Sequence, residues 1–124
     1  MLKDSKAFSG YSTDDLDAVR VFYADVLGLD VEEAAEMPIL RVRFGGDRHV
    51  IVYAKPDHQP ATFTVLNFPV ADIDAAVDEL TARGVVFERY EGFGQDAKGV
   101  MRGQGPLIAW FKDPAGNILS IVEE

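Results

Sequence analysis

The sequence contains no cysteine among its 124 residues, only two histidines and a single tryptophan. The lack of cysteine excludes disulfides, thiolate metal sites and cysteine nucleophiles, and it fits a reducing compartment. No apolar run approaches the roughly 20 residues that a membrane-spanning helix needs. The first residues, MLKDSKAF, carry charges where a signal peptide would have its apolar core. We therefore expect a soluble, cytoplasmic protein without a membrane partner.

Positive charge is also scarce. The chain has 12 Lys and Arg against 21 Asp and Glu, a formal net charge of -9. Because a nucleic-acid reader needs a clustered Lys/Arg surface, no nucleic-acid partner is expected. The acidic balance suits a cationic or neutral partner instead. Hydrophobic residues make up 48% of the chain, ordinary for a globular protein, and the length fits one domain or two small modules sharing a core.

The chain does contain an internal repeat. Two segments, DDLDAVRVFYADVLG and ADIDAAVDELTARG, space their apolar residues by three and four, which predicts two amphipathic helices ending at Gly28 and Gly84. Thr13 is the expected N-cap of the first helix. At an offset of 57 (72 minus 15), Asp15–Ala18 (DLDA) matches Asp72–Ala75 (DIDA). The alternative is a coincidence between two acidic amphipathic helices.

The predicted strands follow the same order around both helices. AFSGYS and ATFTVLNFPV precede them, LDVEE and VVFERYE follow, and each half ends in a hairpin, turning at GGD in the first and at DPAGN in the second. This order predicts an α+β fold of two tandem βαβββ modules, 6–55 and 61–124, joined by a linker at 56–60. We expect one domain spanning 1–124, in which the two modules pair into one larger sheet.

At this point the sequence resembles the vicinal oxygen chelate superfamily, which includes glyoxalase I, extradiol dioxygenases and bleomycin resistance proteins. The resemblance covers nearly the whole chain. It rests on four segments in order: Asp15–Leu16 with Phe22–Tyr23, Leu27–Leu29 (LGL), the second helix entry, and Asp113–Asn117 (DPAGN). The family resemblance implies a curved mixed sheet around a cavity. Metal-using members of the family carry His, Glu or Gln ligands on inward positions of four strands.

Those four positions, carried over onto this sequence, hold no ordinary metal ligand. They fall near Phe8, at Val52 or its neighbour Ile51, near Val65, and at Ser120. Divalent ions prefer carboxylate, imidazole or amide oxygen, so we expect no metal and no other cofactor. His49 and His58 are the only histidines available for a relocated metal site. The simpler alternative is that both are ordinary surface residues.

Several other residues are candidates to line the cavity. Alternation along ATFTVLNFPV puts Phe63 and Asn67 on the inward face with Val65, and Thr64 on the opposite face. Asn67 needs a polar partner there, either a ligand or a core network. Depending on the turn length, Trp110 or Ala109 shares the face of Ser120, where a tryptophan stacks a ligand or serves as core.

The glycine-rich loop 91–106 joins the sixth and seventh predicted strands and is a candidate flap, with Phe93, Gln95, Lys98 and Arg102 as ligand contacts. A plain solvated connection is the alternative. With the resemblance to the bleomycin resistance branch, these residues predict a metal-free binder of a small aromatic or cationic molecule, in drug or metabolite sequestration. The resemblance also implies a homodimer. Two alternatives stay open: a lyase or dioxygenase of the same superfamily with a relocated or absent metal site, and an interaction module with a vestigial cavity.

Overall fold

A computed structural model describes all residues, 1–124, and divides them into two compact units, residues 1–59 and residues 60–124. The first unit contains β1 (Ser9–Thr13), α1 (Leu16–Val21), β2 (Asp30–Glu33), β3 (Ile39–Phe44) and β4 (Arg48–Ala54). The second contains β5 (Thr64–Val70), α2 (Ile73–Ala82), β6 (Ile108–Lys112) and β7 (Ile118–Glu123). The predicted α+β class is confirmed.

The strands form two mixed sheets, one in each unit. Their orders are β1-β4-β3-β2 and β5-β7-β6, with β1 parallel to β4 and β5 parallel to β7. The remaining pairs are antiparallel. A first strand running parallel to the last one therefore occurs in both units, as the internal repeat predicts. A cavity enclosed by the two modules remains a prediction.

The repeat is also visible in how the two helices begin. Asp15 and Asp72 are both extended N-caps, and each carboxylate accepts a hydrogen bond of 3.1 Å from the backbone N–H three residues later. The expectation of Thr13 as the N-cap was wrong, because Thr13 lies two residues before the N-cap and its hydroxyl accepts from the Asp15 N–H at 3.0 Å. The first helix continues past α1 as a π-helical segment, Phe22–Val26.

Each sheet buries the face that its helix covers. In the first unit, α1 packs on β3 and β4. Val19 there is fully buried, and Tyr23, in the π-helical segment, is also fully buried and hydrogen-bonds Tyr11 of β1, hydroxyl to hydroxyl, at 2.7 Å. In the second unit, α2 packs on β7 through a face that includes Ile73, which is completely buried, and Leu119 is buried likewise. The opposite face of each sheet lies away from the helix of its unit.

The strand predicted at VVFERYE is not one. It makes a single bridge to a strand, Phe87 to Phe111, beside which the Glu88 N–H donates to the Trp110 carbonyl at 2.8 Å. The physical reason is Gln95, whose side-chain amide takes the place of a strand partner. Its Oε1 accepts from the Tyr90 N–H at 2.6 Å and its Nε2 donates to the Glu88 carbonyl at 2.8 Å.

No helix of the structure has the length and apolar character to cross a bilayer.

Candidate functional site

The sheet face of the second unit that lies opposite α2 carries a row of three side chains. Trp110 of β6 pairs in register with Ser120 of β7, and Ser120 pairs with Asn67 of β5. This register decides between the two residues that turn length left open, because Trp110, and not Ala109, shares the face of Ser120. The Ser120 hydroxyl donates to the Asn67 side-chain carbonyl at 2.5 Å. Asn67 thus has the polar partner that its position required.

The DPAGN turn sets this register. Asp113 is buried, and its carboxylate accepts hydrogen bonds from the backbone N–H groups of Ala115 at 2.9 Å and Asn117 at 3.0 Å. Its second oxygen accepts from the Asn117 side-chain amide at 3.2 Å. The turn therefore closes around one carboxylate, which holds Trp110 opposite Ser120.

A bulge in β5 changes the face that its first residues present. The pairing with β7 shifts register between Thr64 and Leu66, so strict alternation fails at Val65. Thr64 consequently lies on the Trp110 side, where its hydroxyl accepts a hydrogen bond of 3.2 Å from the indole N–H. The prediction that Thr64 faces away from Asn67 was wrong. Phe63 precedes the strand and is 66% exposed.

Three aromatic rings pack together at the β6 end of the row. Tyr90 and Phe93 each lie edge to face against Trp110, with ring centroids 5.7 and 5.3 Å away, and the two are 5.3 Å from each other. Trp110 is only 9% exposed beneath them, whereas Phe93 is 39% exposed. We call Tyr90, Phe93 and Trp110 the aromatic cluster. Sequence analysis missed Tyr90, since it was assigned to a strand that does not form.

The two cationic candidates of loop 91–106, Lys98 and Arg102, form ion pairs with aspartates. Arg102 pairs with Asp96 at 2.8 Å and with Asp74 of α2 at 2.7 Å, and Lys98 pairs with Asp78 of α2 at 2.9 Å. Both cations therefore anchor the loop to the helix, on the side of the sheet away from Ser120. As a ligand contact Arg102 stays a prediction, and one that this geometry disfavours.

In the first unit the candidate residues separate. Val52 is completely buried in register with Tyr11 and Leu40, on the face that α1 covers, so its neighbour Ile51 is the residue of the two on the opposite face. Phe8 precedes β1 and is 57% exposed, with its ring centroid 4.8 Å from that of His49. The two rings line an open groove of about 620 Å³ beside the β3–β4 turn.

The first unit also holds a contact that sequence analysis missed. The Ser12 hydroxyl lies 2.6 Å from Nδ1 of His58, although 46 residues separate them in the chain. Such distances are invisible to a motif search, which looks for fixed local spacing. A serine hydrogen-bonded to an imidazole is the starting geometry for hydroxyl activation. The same bond also ties the segment after β4 to β1.

The residues do not fit the metal site of the metal-using relatives. The implied positions hold the apolar side chains of Phe8, Val52 or Ile51, and Val65, together with Ser120, whose hydroxyl is engaged with Asn67. Nowhere in residues 1–124 do three or more His, Asp or Glu side chains group in a way that could hold an ion. A site built from aromatic, hydroxyl and amide groups instead suits an organic ligand.

Solved structures resemble this fold throughout its length. A member of the glyoxalase/bleomycin resistance protein/dioxygenase superfamily from Sphaerobacter thermophilus DSM 20745 is 24% identical to this chain. The match covers 97% of this chain and 98% of that chain, with a TM-score of 0.67. TnmS3, an antibiotic binding protein from Streptomyces sp. CB03234, is 20% identical over 97% of both chains, with a TM-score of 0.67. The fosfomycin resistance protein FosX from Listeria monocytogenes is 11% identical over 98% of this chain and 93% of that chain, with a TM-score of 0.71.

At these identities the structures establish a shared fold. Among curated proteins, no sequence matches the chain. The profile of the Glyoxalase/Bleomycin resistance protein/Dioxygenase superfamily, however, matches residues 8–121, nearly the full length. That span includes both repeated helix entries and the DPAGN turn. The chain therefore belongs to the glyoxalase/bleomycin resistance protein/dioxygenase superfamily.

Proposed function

We propose that this protein binds a small planar aromatic or cationic molecule without using a metal, and that the second unit supplies the main contact surface. The observation that carries the proposal is Trp110, held on the same sheet face as Ser120 and Asn67 and covered by the partly exposed ring of Phe93. An indole with a polar row beside it can stack a flat ligand and fix its orientation by hydrogen bonds.

Two further observations bear on this proposal. TnmS3, a protein of the same fold, is an antibiotic binding protein, which makes small-molecule binding a function that this fold can perform. The net charge of -9 would attract a cationic ligand at long range. Phe63 and Val65 in the second unit stay predicted apolar contacts, as does Phe8 in the first. In the first unit Ile51 lies on the sheet face opposite α1, whereas Val52 is buried on the face that α1 covers.

The direct test is a fluorescence titration, because Trp110 is the single tryptophan of the chain. A panel of planar neutral and planar cationic compounds should include some that change Trp110 emission saturably, with matching heats in isothermal titration calorimetry. Trp110→Phe keeps an aromatic ring but should lower the affinity of the protein for those compounds, as measured by calorimetry. If no compound of either class binds at millimolar concentration, the proposal fails.

A metal-independent enzyme of the same superfamily is the second candidate, and the Ser12–His58 contact favours it. An imidazole at 2.6 Å can accept the serine proton, or serve as a general base itself. Under this alternative, His58→Gln would abolish turnover of a substrate while leaving its affinity intact. Under the binding proposal, no compound of the panel is altered by the protein, and His58→Gln changes only stability.

We also propose that the protein is a homodimer. Several large apolar side chains are exposed on the chain: Val21, Met37, Phe63 and Val86. A two-fold partner would cover such surface. Multi-angle light scattering at micromolar concentration should give twice the mass of 13.6 kDa, and a mass of one chain would refute the dimer. Cytoplasmic location stays a prediction from the sequence.

A further inference from the structure

The Tyr90 hydroxyl is buried and has no hydrogen-bond partner. Buried polar groups nearly always have a hydrogen-bond partner, and one without a partner lowers stability. An unpaired buried hydroxyl therefore needs a physical explanation. Its ring belongs to the aromatic cluster, against Trp110 and Phe93. The unpaired hydroxyl therefore lies within the surface to which we assign ligand binding.

Phe93 is the ring of the cluster that can move at least cost. It is 39% exposed, and the glycines on both sides of it, Gly92 and Gly94, have φ values of 82° and 62°, a region open to glycine. The chain is fixed directly after this tip. Gln95 makes three hydrogen bonds to backbone groups, and Asp96 pairs with Arg102. A displacement of the Phe93 ring would thus be confined to the GFG tip of the loop, where the Phe93 N–H donates to the Tyr90 carbonyl at 3.2 Å.

From this arrangement we propose that Phe93 occupies a binding subsite on Trp110. A neutral planar ring bearing a carbonyl oxygen displaces Phe93, stacks on the indole and accepts a hydrogen bond from the Tyr90 hydroxyl. This inference rests on the proposed function and narrows its ligand class. The ligand ring replaces the contacts that Phe93 gives up, and its carbonyl supplies the partner that Tyr90 lacks.

The charges around Tyr90 favour a neutral acceptor. Burial, with the nearby Glu88 carboxylate adding to it, raises the pKa of Tyr90, so the hydroxyl keeps its proton and acts as a donor at neutral pH. Glu88 is itself paired with Lys112 at 3.3 Å. Because these two charges neutralise each other, the surroundings of Tyr90 offer no excess charge for an ionic ligand group.

The test compares 2-acetylnaphthalene with 2-ethylnaphthalene, which has a similar shape but no carbonyl. Both are titrated by calorimetry into wild type, Tyr90→Phe and Phe93→Ala. In Tyr90→Phe the acetyl compound should bind about tenfold more weakly, the effect of one hydrogen bond, while the ethyl compound is unaffected. In Phe93→Ala both should bind more tightly, because the competing ring is gone.

Two controls make the result specific. Tyr53→Phe removes the hydroxyl of a half-buried residue in the first unit and should change neither affinity. Thermal melting should show Tyr90→Phe to be as stable as wild type or more so, because its hydroxyl has no partner to lose.

The inference is overturned if Tyr90→Phe lowers the affinity for both compounds equally, or if Phe93→Ala lowers the affinity for them. It is also overturned if neither compound binds while a trimethylammonium-bearing aromatic does, and in that case the proposed function survives. If no compound of any class binds wild type or Phe93→Ala, the proposed function fails as well.

Discussion

Removing the Asp113 carboxylate should destabilise the second unit by a calculable amount. The carboxylate accepts three hydrogen bonds, two from the backbone N–H groups of Ala115 and Asn117 and one from the Asn117 amide. At about 1 kcal/mol net for each bond, Asp113→Ala should lower the free energy of unfolding by about 3 kcal/mol. For a chain of this size, that corresponds to a fall in melting temperature of roughly 10 °C.

The conservative variant separates the three bonds. Asp113→Asn keeps one carbonyl oxygen for the two backbone donors but turns an NH₂ group toward the Asn117 amide, so it should cost about 1 kcal/mol. Urea unfolding followed by Trp110 emission reports on this hairpin directly. The exposed Asp14, changed to Ala, is the matched control and should have almost no effect. Equal losses for Asp113→Ala and Asp113→Asn, or a loss near zero for Asp113→Ala, would refute the assignment of the turn to this carboxylate.

Three further predictions concern the β3–β4 turn, the aromatic cluster and loop 91–106. Asp47 has a φ of 61°, so Asp47→Val should destabilise the fold by about 1–2 kcal/mol in urea unfolding, whereas Asp47→Gly should be nearly neutral. Because burial and Glu88 raise the pKa of Tyr90, the folded state holds that proton longer than the unfolded state. Stability should therefore fall as pH rises above about 10, and Tyr90→Phe should lose this part of the pH dependence in unfolding experiments. Arg102→Ala should leave the affinity for a Trp110-binding ligand unchanged, because the guanidinium pairs with two aspartates. A clear loss of affinity in calorimetry would show that Arg102 contacts the ligand.

Local sequence determined the repeated framework. Asp15 and Asp72 each cap a helix through a bond that spans three residues, so matching letters at an offset of 57 were enough to predict matching structures. The terminal hairpin is local in the same way, since the turn and both its strands lie within 16 residues, from 108 to 123. Short-range hydrogen bonds and hydrophobic periodicity leave direct marks in the sequence.

Tertiary structure decided which side chains meet. The bulge at Val65 moves Thr64 to the Trp110 face, and bulges have no reliable sequence signature. Gln95 bonds the backbone at Glu88 and Tyr90, and so removes a strand that residue propensity favoured.

The side-chain contacts in the two candidate sites join residues that are far apart in the sequence. Ser12 and His58 are 46 residues apart, and Asn67 and Ser120 are 53 apart. Strand alternation and the positions implied by the family resemblance predicted Ser120 and Asn67 on the inward face, together with either Trp110 or Ala109. Only the folded chain could pair them, since strand register and side-chain direction depend on partners that the local sequence does not contain.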